Sequence, residues 1–212
     1  MKYSDIEVIF ATASPRRRAL AEKIKYIGLN GRSENDVSFP RVKPVFISAD
    51  VEEVSVGSAL EVATANARLK GEWAAKRYSL PVFAFDTVVG IDGDVFGKPI
   101  SADDAINMFK RLCGRTHEVI TSVYFCGNGK IIEKSEKTAV TFGAFDRELV
   151  YNYVDSGAPF DKAGGYNIDD AAIKPLIVGV EGEYENVVGL PVALTEKLIE
   201  ENLIHGENGN SH

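Results

Sequence analysis

Cysteine is almost absent from this chain. Its 212 residues hold two, Cys113 and Cys126. They form neither a Cys-x-x-Cys pair nor a zinc-ligand spacing, so a disulfide scaffold and a structural zinc site are both excluded. They are expected to be two buried thiols in a reducing, cytoplasmic setting; a regulatory disulfide is the less favoured alternative. Histidine is equally scarce, with three residues, which argues against a His-based metal centre. His117 is accordingly read as structural. No apolar run is long enough to span a bilayer, so no membrane partner is expected. Positive charge is in deficit, with 24 Lys and Arg against 31 Asp and Glu and a formal net charge of -7. That excludes extended binding to duplex nucleic acid, which needs a basic surface, but not a small anion in a local basic pocket. Met1 to Glu7 is polar and does not read as a signal peptide. The remaining composition, 45% hydrophobic and 26% charged, is that of an ordinary soluble domain. One domain over 1–204 is expected, with a frayed polar tail over 205–212.

Strands and helices mix without strict alternation, which predicts an α/β or α+β sheet rather than a regular doubly wound fold. Glu7 to Thr12 reads as a buried strand, and Ser14-Pro15 as the cap and first position of a helix reaching Tyr26, with Leu20 and Ile24 inward. Gly28 to Pro40 is polar and turn-rich, a loop or insertion. Lys43 to Ser48 is a second strand. The capping box Ser58-Ala59-Leu60-Glu61 opens a helix to Tyr78, with Val62, Ala65, Leu69 and Trp73 as its buried stripe. Pro81 to Val89 is a strongly apolar strand, turning at Asp92-Gly93. Ser101 to Leu112 is a helix. His117 to Phe125 and Lys130 to Phe142 form a hairpin about Gly127-Asn128-Gly129. Asp146 caps a helix to Val154, Ser156 to Gly165 is a loop, and Val192 to Asn202 is the last helix.

Four motifs join charge to tight turns: Ser14-Pro15-Arg16-Arg17-Arg18, Asp86-Thr87-Val88-Val89, Gly97-Lys98-Pro99 and Asp161-Lys162-Ala163-Gly164-Gly165-Tyr166. The first places three cations at a helix N-terminus, against the local dipole. A bound anion would reconcile them, since free N–H groups and arginines both bind phosphate there. Asp86 is an ionisable group in an otherwise apolar strand, costly unless paired, bound to metal or used as a base. A turn-capping role competes evenly. Lys98 and Lys162 sit beside turn residues that permit close backbone approach to a ligand, although surface turns carry lysine routinely. Glu53, in the acidic run from Asp50, reads alone as a solvated loop residue. Lys70 reads alone as a snorkelling surface lysine. Together the motifs point to a site for a phosphorylated substrate.

In order and content these segments resemble the Maf nucleotide pyrophosphatases, whose fold is similar to that of inosine triphosphate pyrophosphatases. The resemblance covers nearly the whole chain. It includes Asn66 to Lys70, Gly114 to Val119, Glu181-Gly182 and Asn186-Val187-Val188-Gly189-Leu190-Pro191. It implies an elongated, curved mixed sheet flanked by helices, with two lobes around a cleft. It also implies a homodimer that hydrolyses a nucleoside triphosphate to the monophosphate and pyrophosphate with a divalent cation (Mg²⁺, Mn²⁺ or Co²⁺). By that resemblance Asp86 is the catalytic carboxylate. Ser14 binds substrate; Arg17, Glu53, Lys70, Lys98 and Lys162 line the phosphate and metal site, with Glu53 and Asp86 at the metal; and Arg16, Thr87 and the position of Asp169 shape substrate choice. The threonine in Asp-Thr-Val-Val resembles the dTTP/UTP branch, where glutamine would mark the 7-methyl-GTP branch. The family is associated with clearing unwanted nucleotides and with restraint of cell division. One departure stands out: Ile168-Asp169-Asp170 replaces the usual Ile-Gln-Gly. A carboxylate cannot donate as an amide does, so base preference or activity is expected to change. That departure motivates a rival reading, a nucleotide-binding regulator of division without turnover. A phosphate-binding scaffold is the other rival.

Overall fold

The computed structural model describes residues 5–26 and 42–204. The expected Gly28–Pro40 insertion and the 205–212 tail lie outside the described residues. Among the described residues seven strands form one mixed sheet: β1 (Ile6–Ala11), β2 (Val42–Ile47), β3 (Val82–Ile91), β4 (Asp94–Phe96), β5 (Thr116–Gly127), β6 (Lys130–Phe142) and β7 (Ile177–Glu181). The order is β2-β1-β3-β5-β6-β7, with β4 added to β3. β1 runs parallel to β2 and β3, and all other pairs are antiparallel. The helices are α1 (Pro15–Ala21), α2 (Ala59–Ala75), α3 (Ala102–Leu112), α4 (Arg147–Asp155), α5 (Tyr184–Val188) and α6 (Val192–Ile199). The expected mixed α/β sheet flanked by helices is the architecture observed.

Local chemistry accounts for most boundaries. The hairpin turns fall at Asp92-Gly93 and Asn128-Gly129, all four with positive φ, the type I′ geometry that these residues tolerate best. Ser58 and Glu61 form the reciprocal capping box of α2, and Ser101 and Asp146 cap α3 and α4. The Ser156–Gly165 segment contains two short 3₁₀ turns, at Ala158–Asp161 and Ala163–Gly165.

Alternation along β3 supplies both faces of the sheet. On one face Phe10, Phe83, Phe85 and Phe125 pack beneath Leu20, Ile24, Leu198 and Ile199 of the α1 and α6 segments. Further along that face Val89, Val119 and Phe142 pack with Phe109 and Tyr153 of α3 and α4. The opposite face carries α2 over Ile9, Ala84 and Tyr124. The α2 stripe differs from expectation. Ala63, Asn66, Ala67, Gly71 and Ala74 are buried with Val62, whereas Leu69 is exposed and Ala65 and Trp73 are half-buried. The reason is close approach: a Cβ at Gly71 would stand 2.0 Å from Tyr124 Cδ1. Only a small-residue face lets the helix lie that near the ring.

The strand pairing leaves one opening. β1 pairs with β3 over Val82–Ala84 and β4 pairs with it over Val89–Ile91. Between them, among the described residues, Phe85 to Val88 have no ladder partner on that edge. β1 ends there, and Thr12-Ala13-Ser14 leads into the N-terminus of α1. A gap outside strand ends is where open α/β sheets bind ligands.

Candidate active site

A cleft of about 610 Å³ opens at this gap. Ser14, Arg16, Arg17, Glu53, Lys70, Asp86, Thr87, Lys98 and Lys162 all line it. Five cations and three carboxylates (Glu53, Asp86, Asp161) therefore share one hollow, a local positive excess in a chain of net charge -7. Such a cleft draws and holds a polyanion.

Asp86 and Thr87 are adjacent in β3 and so point to opposite sheet faces. Asp86 turns toward α2 and is buried. Its Oδ1 accepts from Lys70 Nζ at 2.6 Å, and its Oδ2 takes a long contact of 3.4 Å from Asn66 Nδ2. Lys70 Nζ also stands 2.7 Å from Glu53 Oε1. Lys70 is thus the clamp between two carboxylates, not a surface lysine. Burial raises the Asp86 pKa, and the charges of Lys70 and Arg17 oppose the rise without cancelling it. Half-exposed Glu53 goes the other way: burial is the largest single influence and works to raise its pKa, but the hydrogen bond and charge of Lys70, with Lys98 and Arg17, together bring it below its ordinary value. Two carboxylates on one ammonium are thereby driven apart in acidity, the buried one being the stronger base.

Thr87 turns toward α1. Arg17 donates from Nη2 to Thr87 Oγ1 at 2.8 Å and from Nε to the Gly189 carbonyl at 2.6 Å. Burial lowers the Arg17 pKa, opposed by Asp86, yet its guanidinium stays charged. Gly189 has φ +116, and a Cβ there would crowd Arg17 Nε and Thr87 Oγ1 at 3.3 Å each. Ser14 caps α1, its Oγ accepting from Arg17 N at 3.4 Å. Arg18 turns away, donating to the Thr12 carbonyl.

The far wall is the 3₁₀ segment. Arg16 Nη1 donates to Asp161 Oδ2 at 3.1 Å, and Lys162 Nζ donates to the other oxygen, Oδ1. Burial works to raise the Asp161 pKa, but Lys162 and Arg16 together bring it below its ordinary value. Gly164 N donates to Gly97 O at 2.9 Å, joining the Lys98 and Lys162 turns. Lys98 is exposed at the rim.

Asp169 is the exception. It is exposed, is not part of the cleft lining, and accepts a 2.6 Å hydrogen bond from Tyr184 Oη. The structure does not bring it to the other candidates. Reasoning from isolated motifs missed two residues. Asn66 exchanges hydrogen bonds with the backbone of Val54, at 2.8 and 3.0 Å, and so pins the segment carrying Glu53. Its signal was a polar residue four positions after buried Val62. Asp161 bridges two cations, and its signal was its place beside Lys162. His117 is structural, as expected: it is buried, packs against Phe142 and Tyr166, and has its pKa lowered to about 4 by burial. Cys113 and Cys126 are free but only half-buried. Among the described residues no helix is long and apolar enough to cross a membrane.

A family model described as Maf-like protein matches residues 7–202. The chain belongs to the Maf family. Among its Maf relatives, the dTTP/UTP pyrophosphatase of Chromobacterium violaceum is 35% identical over 210 residues, 95% of this chain and 97% of that one. That of Thermococcus gammatolerans is 37% identical over 193 residues, 91% and 95% of the two chains. That of Pyrococcus furiosus is 34% identical over 195 residues, 92% and 94%. The solved nucleoside-triphosphatase / dITP/XTP pyrophosphatase of Mycobacterium abscessus aligns over 97% of this Maf chain and 98% of its own. Its 13% identity and TM-score of 0.49 are too low to carry any argument. Among the described residues no group of three or more His, Cys, Asp or Glu side chains gathers to hold a metal. Glu53 and Asp86 supply two.

Proposed function

We propose that this Maf protein hydrolyses dTTP, UTP or modified pyrimidine nucleoside triphosphates to the monophosphate and pyrophosphate. The observation that carries the reading is that five cationic side chains line the one cleft that holds a buried, proton-accepting carboxylate, Asp86, in an acidic chain. The names of the relatives support the substrate class.

Arg16, Arg17, Lys98 and Lys162 neutralise the triphosphate and orient it across the β3 gap. Lys70 holds Asp86 and Glu53 in place. Asp86 accepts the proton of a water that attacks the α-phosphorus; the new P–O bond forms as the bond to the β-phosphoryl oxygen breaks and pyrophosphate leaves. Glu53 and Asp86 fit Mg²⁺, Mn²⁺ or Co²⁺, because small divalent cations bind one or two carboxylates and complete their shell with phosphate oxygens and water. Such a cation would supply charge neutralisation at the phosphates. The protein works in the cytosol, where its two free thiols stay reduced, and as a homodimer by family resemblance, which sedimentation would check.

The test is pyrophosphate release from a panel of dTTP, UTP, modified pyrimidine nucleotides and 7-methyl-GTP, for the wild type and Asp86→Asn. The variant is expected to lose at least about a thousandfold in turnover while melting as a folded protein. Near-normal turnover in Asp86→Asn would refute the assignment. The regulator without turnover is disfavoured, because Asp169, the residue that motivated it, bonds to Tyr184 away from the cleft.

A further inference from the structure

The proposed reaction uses Glu53 and Asp86 and leaves the third carboxylate of the cleft lining, Asp161, without a task. Its two oxygens are shared between two cations. Oδ2 accepts from Arg16 Nη1 at 3.1 Å, and Oδ1 accepts from Lys162 Nζ. Lys162 is its neighbour in the chain, whereas Arg16 stands in α1, 145 residues away. The carboxylate therefore ties the two walls of the cleft. It does so with the chemistry of the expected ligand, a pair of anionic oxygens on one atom, which arginine and lysine take from carboxylate and phosphate alike.

Burial decides which ion pairs of the cleft can be exchanged. The side chains of Lys70 and Asp86 are 13% and 9% exposed, and parting them would strand a buried charge. Arg17 donates to neutral acceptors, Thr87 Oγ1 and the Gly189 carbonyl. Asp161 is different, with its side chain 64% exposed. Released from its partners it returns to water at little cost, since exposed ion pairs contribute little. Its partners are more enclosed, Arg16 at 27% and Lys162 at 11%. Neither depends on the carboxylate alone for its place. Lys162 Nζ also donates to the Ala158 carbonyl, and Arg16 Nη2 reaches the Asp161 carbonyl at 3.5 Å.

We propose that Asp161 is an internal counter-ion: it occupies a phosphate seat between Arg16 and Lys162 in the empty cleft and gives way to a phosphate of the ligand. This rests on the reading above, that the cleft takes a polyphosphate. A single phosphate ion at this seat only replaces one anion by another and gains little. A longer polyphosphate also meets the other cations of the lining, so the exchange favours it. After cleavage the same carboxylate competes with pyrophosphate for Arg16 and Lys162 and hastens its departure.

The experiment measures calorimetric dissociation constants for inorganic phosphate, pyrophosphate and tripolyphosphate in EDTA, on wild type, Asp161→Asn, Asp161→Ala and Asp161→Glu. Wild type is expected to bind tripolyphosphate at least about tenfold more tightly than phosphate. Asp161→Asn should tighten pyrophosphate about tenfold, because two exposed ion pairs, each worth about threefold, no longer compete. Asp161→Ala, which brings no new donor, should repeat that gain, and it decides the matter if melting shows Asp161→Asn unfolded. Asp161→Glu keeps the competitor and should stay within about threefold of wild type. On an Arg16→Gln background the gain from Asp161→Asn should shrink to about threefold, since only Lys162 is then freed. Weaker or unchanged pyrophosphate binding in Asp161→Asn and Asp161→Ala would make the carboxylate a support for its two cations and overturn the proposal. So would a wild type that binds none of the three anions. Pyrophosphate release from UTP by wild type runs alongside. Its absence would refute the hydrolase and leave the anion affinities to decide the role of Asp161.

Discussion

Replacing Lys70 by Met should make the stability of this protein fall more steeply with rising pH than that of the wild type. Lys70 Nζ lies 2.6 Å from Asp86 Oδ1 and 2.7 Å from Glu53 Oε1, and its side chain is only 13% exposed. Glu53 is half in water and survives the loss of its partner cheaply. Asp86, 6% exposed, does not. Removing one partner of a buried ion pair costs about 3–5 kcal/mol, because the other charge is stranded. That cost applies only while Asp86 is ionised. Its folded pKa already stands above its unfolded value, since burial outweighs the pull of Lys70 and Arg17. A group shifted in that direction stabilises the fold below the unfolded pKa and loses that contribution as pH rises through the folded pKa. Lys70→Met removes the larger opposing pull, so the folded pKa climbs and the window of loss moves toward neutrality. Urea unfolding in EDTA should therefore show a small deficit for the variant at pH 5 and the full ~3–5 kcal/mol at pH 8, equivalent to roughly 6–20 °C in Tm for a chain this long. Adding Asp86→Asn should recover most of the loss, because no carboxylate is then left stranded. A deficit equal at pH 5 and pH 8, or a double variant no more stable than Lys70→Met, would refute the reasoning.

Further expectations follow from the same geometry. Gly164→Ala puts a Cβ 2.7 Å from Val89 Cγ2 at φ +67; backbone strain and overlap should cost about 2–4 kcal/mol by urea titration and disturb the Lys98 and Lys162 turns. Asn66→Ala should abolish amide-exchange protection at Val54 N–H and lower turnover, since the segment bearing Glu53 loses both its hydrogen bonds to α2; stability should fall by about 1–3 kcal/mol. EDTA should stop pyrophosphate release and Mg²⁺ restore it, while Tm in the absence of nucleotide moves by no more than about 2 °C, because Lys70 already satisfies both carboxylates.

Local signals were legible along most of the chain. Asn128-Gly129 and Asp92-Gly93 turn where their left-handed tolerance predicts, and Ser58, Ser101 and Asp146 start helices where their oxygens can take a backbone N–H. The two elements without a sequence reading were β7 and α5. Both are five residues long, and α5 has no side-chain cap. Their existence depends on partners far away, β6 for β7 and the Val119 and Thr138 contacts of Asn186 for α5. The α2 stripe was misplaced because large apolar residues look like core, whereas the Tyr124 ring admits only Gly71 and its small neighbours.

By itself the sequence determined which charged motifs exist, the turns that carry them, and the family they belong to, since each of these is written in residues near one another or in their order. Tertiary structure alone decided that Lys70 would clamp Glu53 to Asp86, that Asp161 would join Arg16 to Lys162, that Asp169 would stand aside with Tyr184, and that Thr121 would back Thr87 at 2.9 Å. The physical reason is range. Turn and cap preferences act over a few residues of chain, whereas the charge of a carboxylate and the direction of a hydroxyl are set by whatever the sheet brings within 3 Å, and the gap in the β3 edge exists only once β1 and β4 have paired on either side of it.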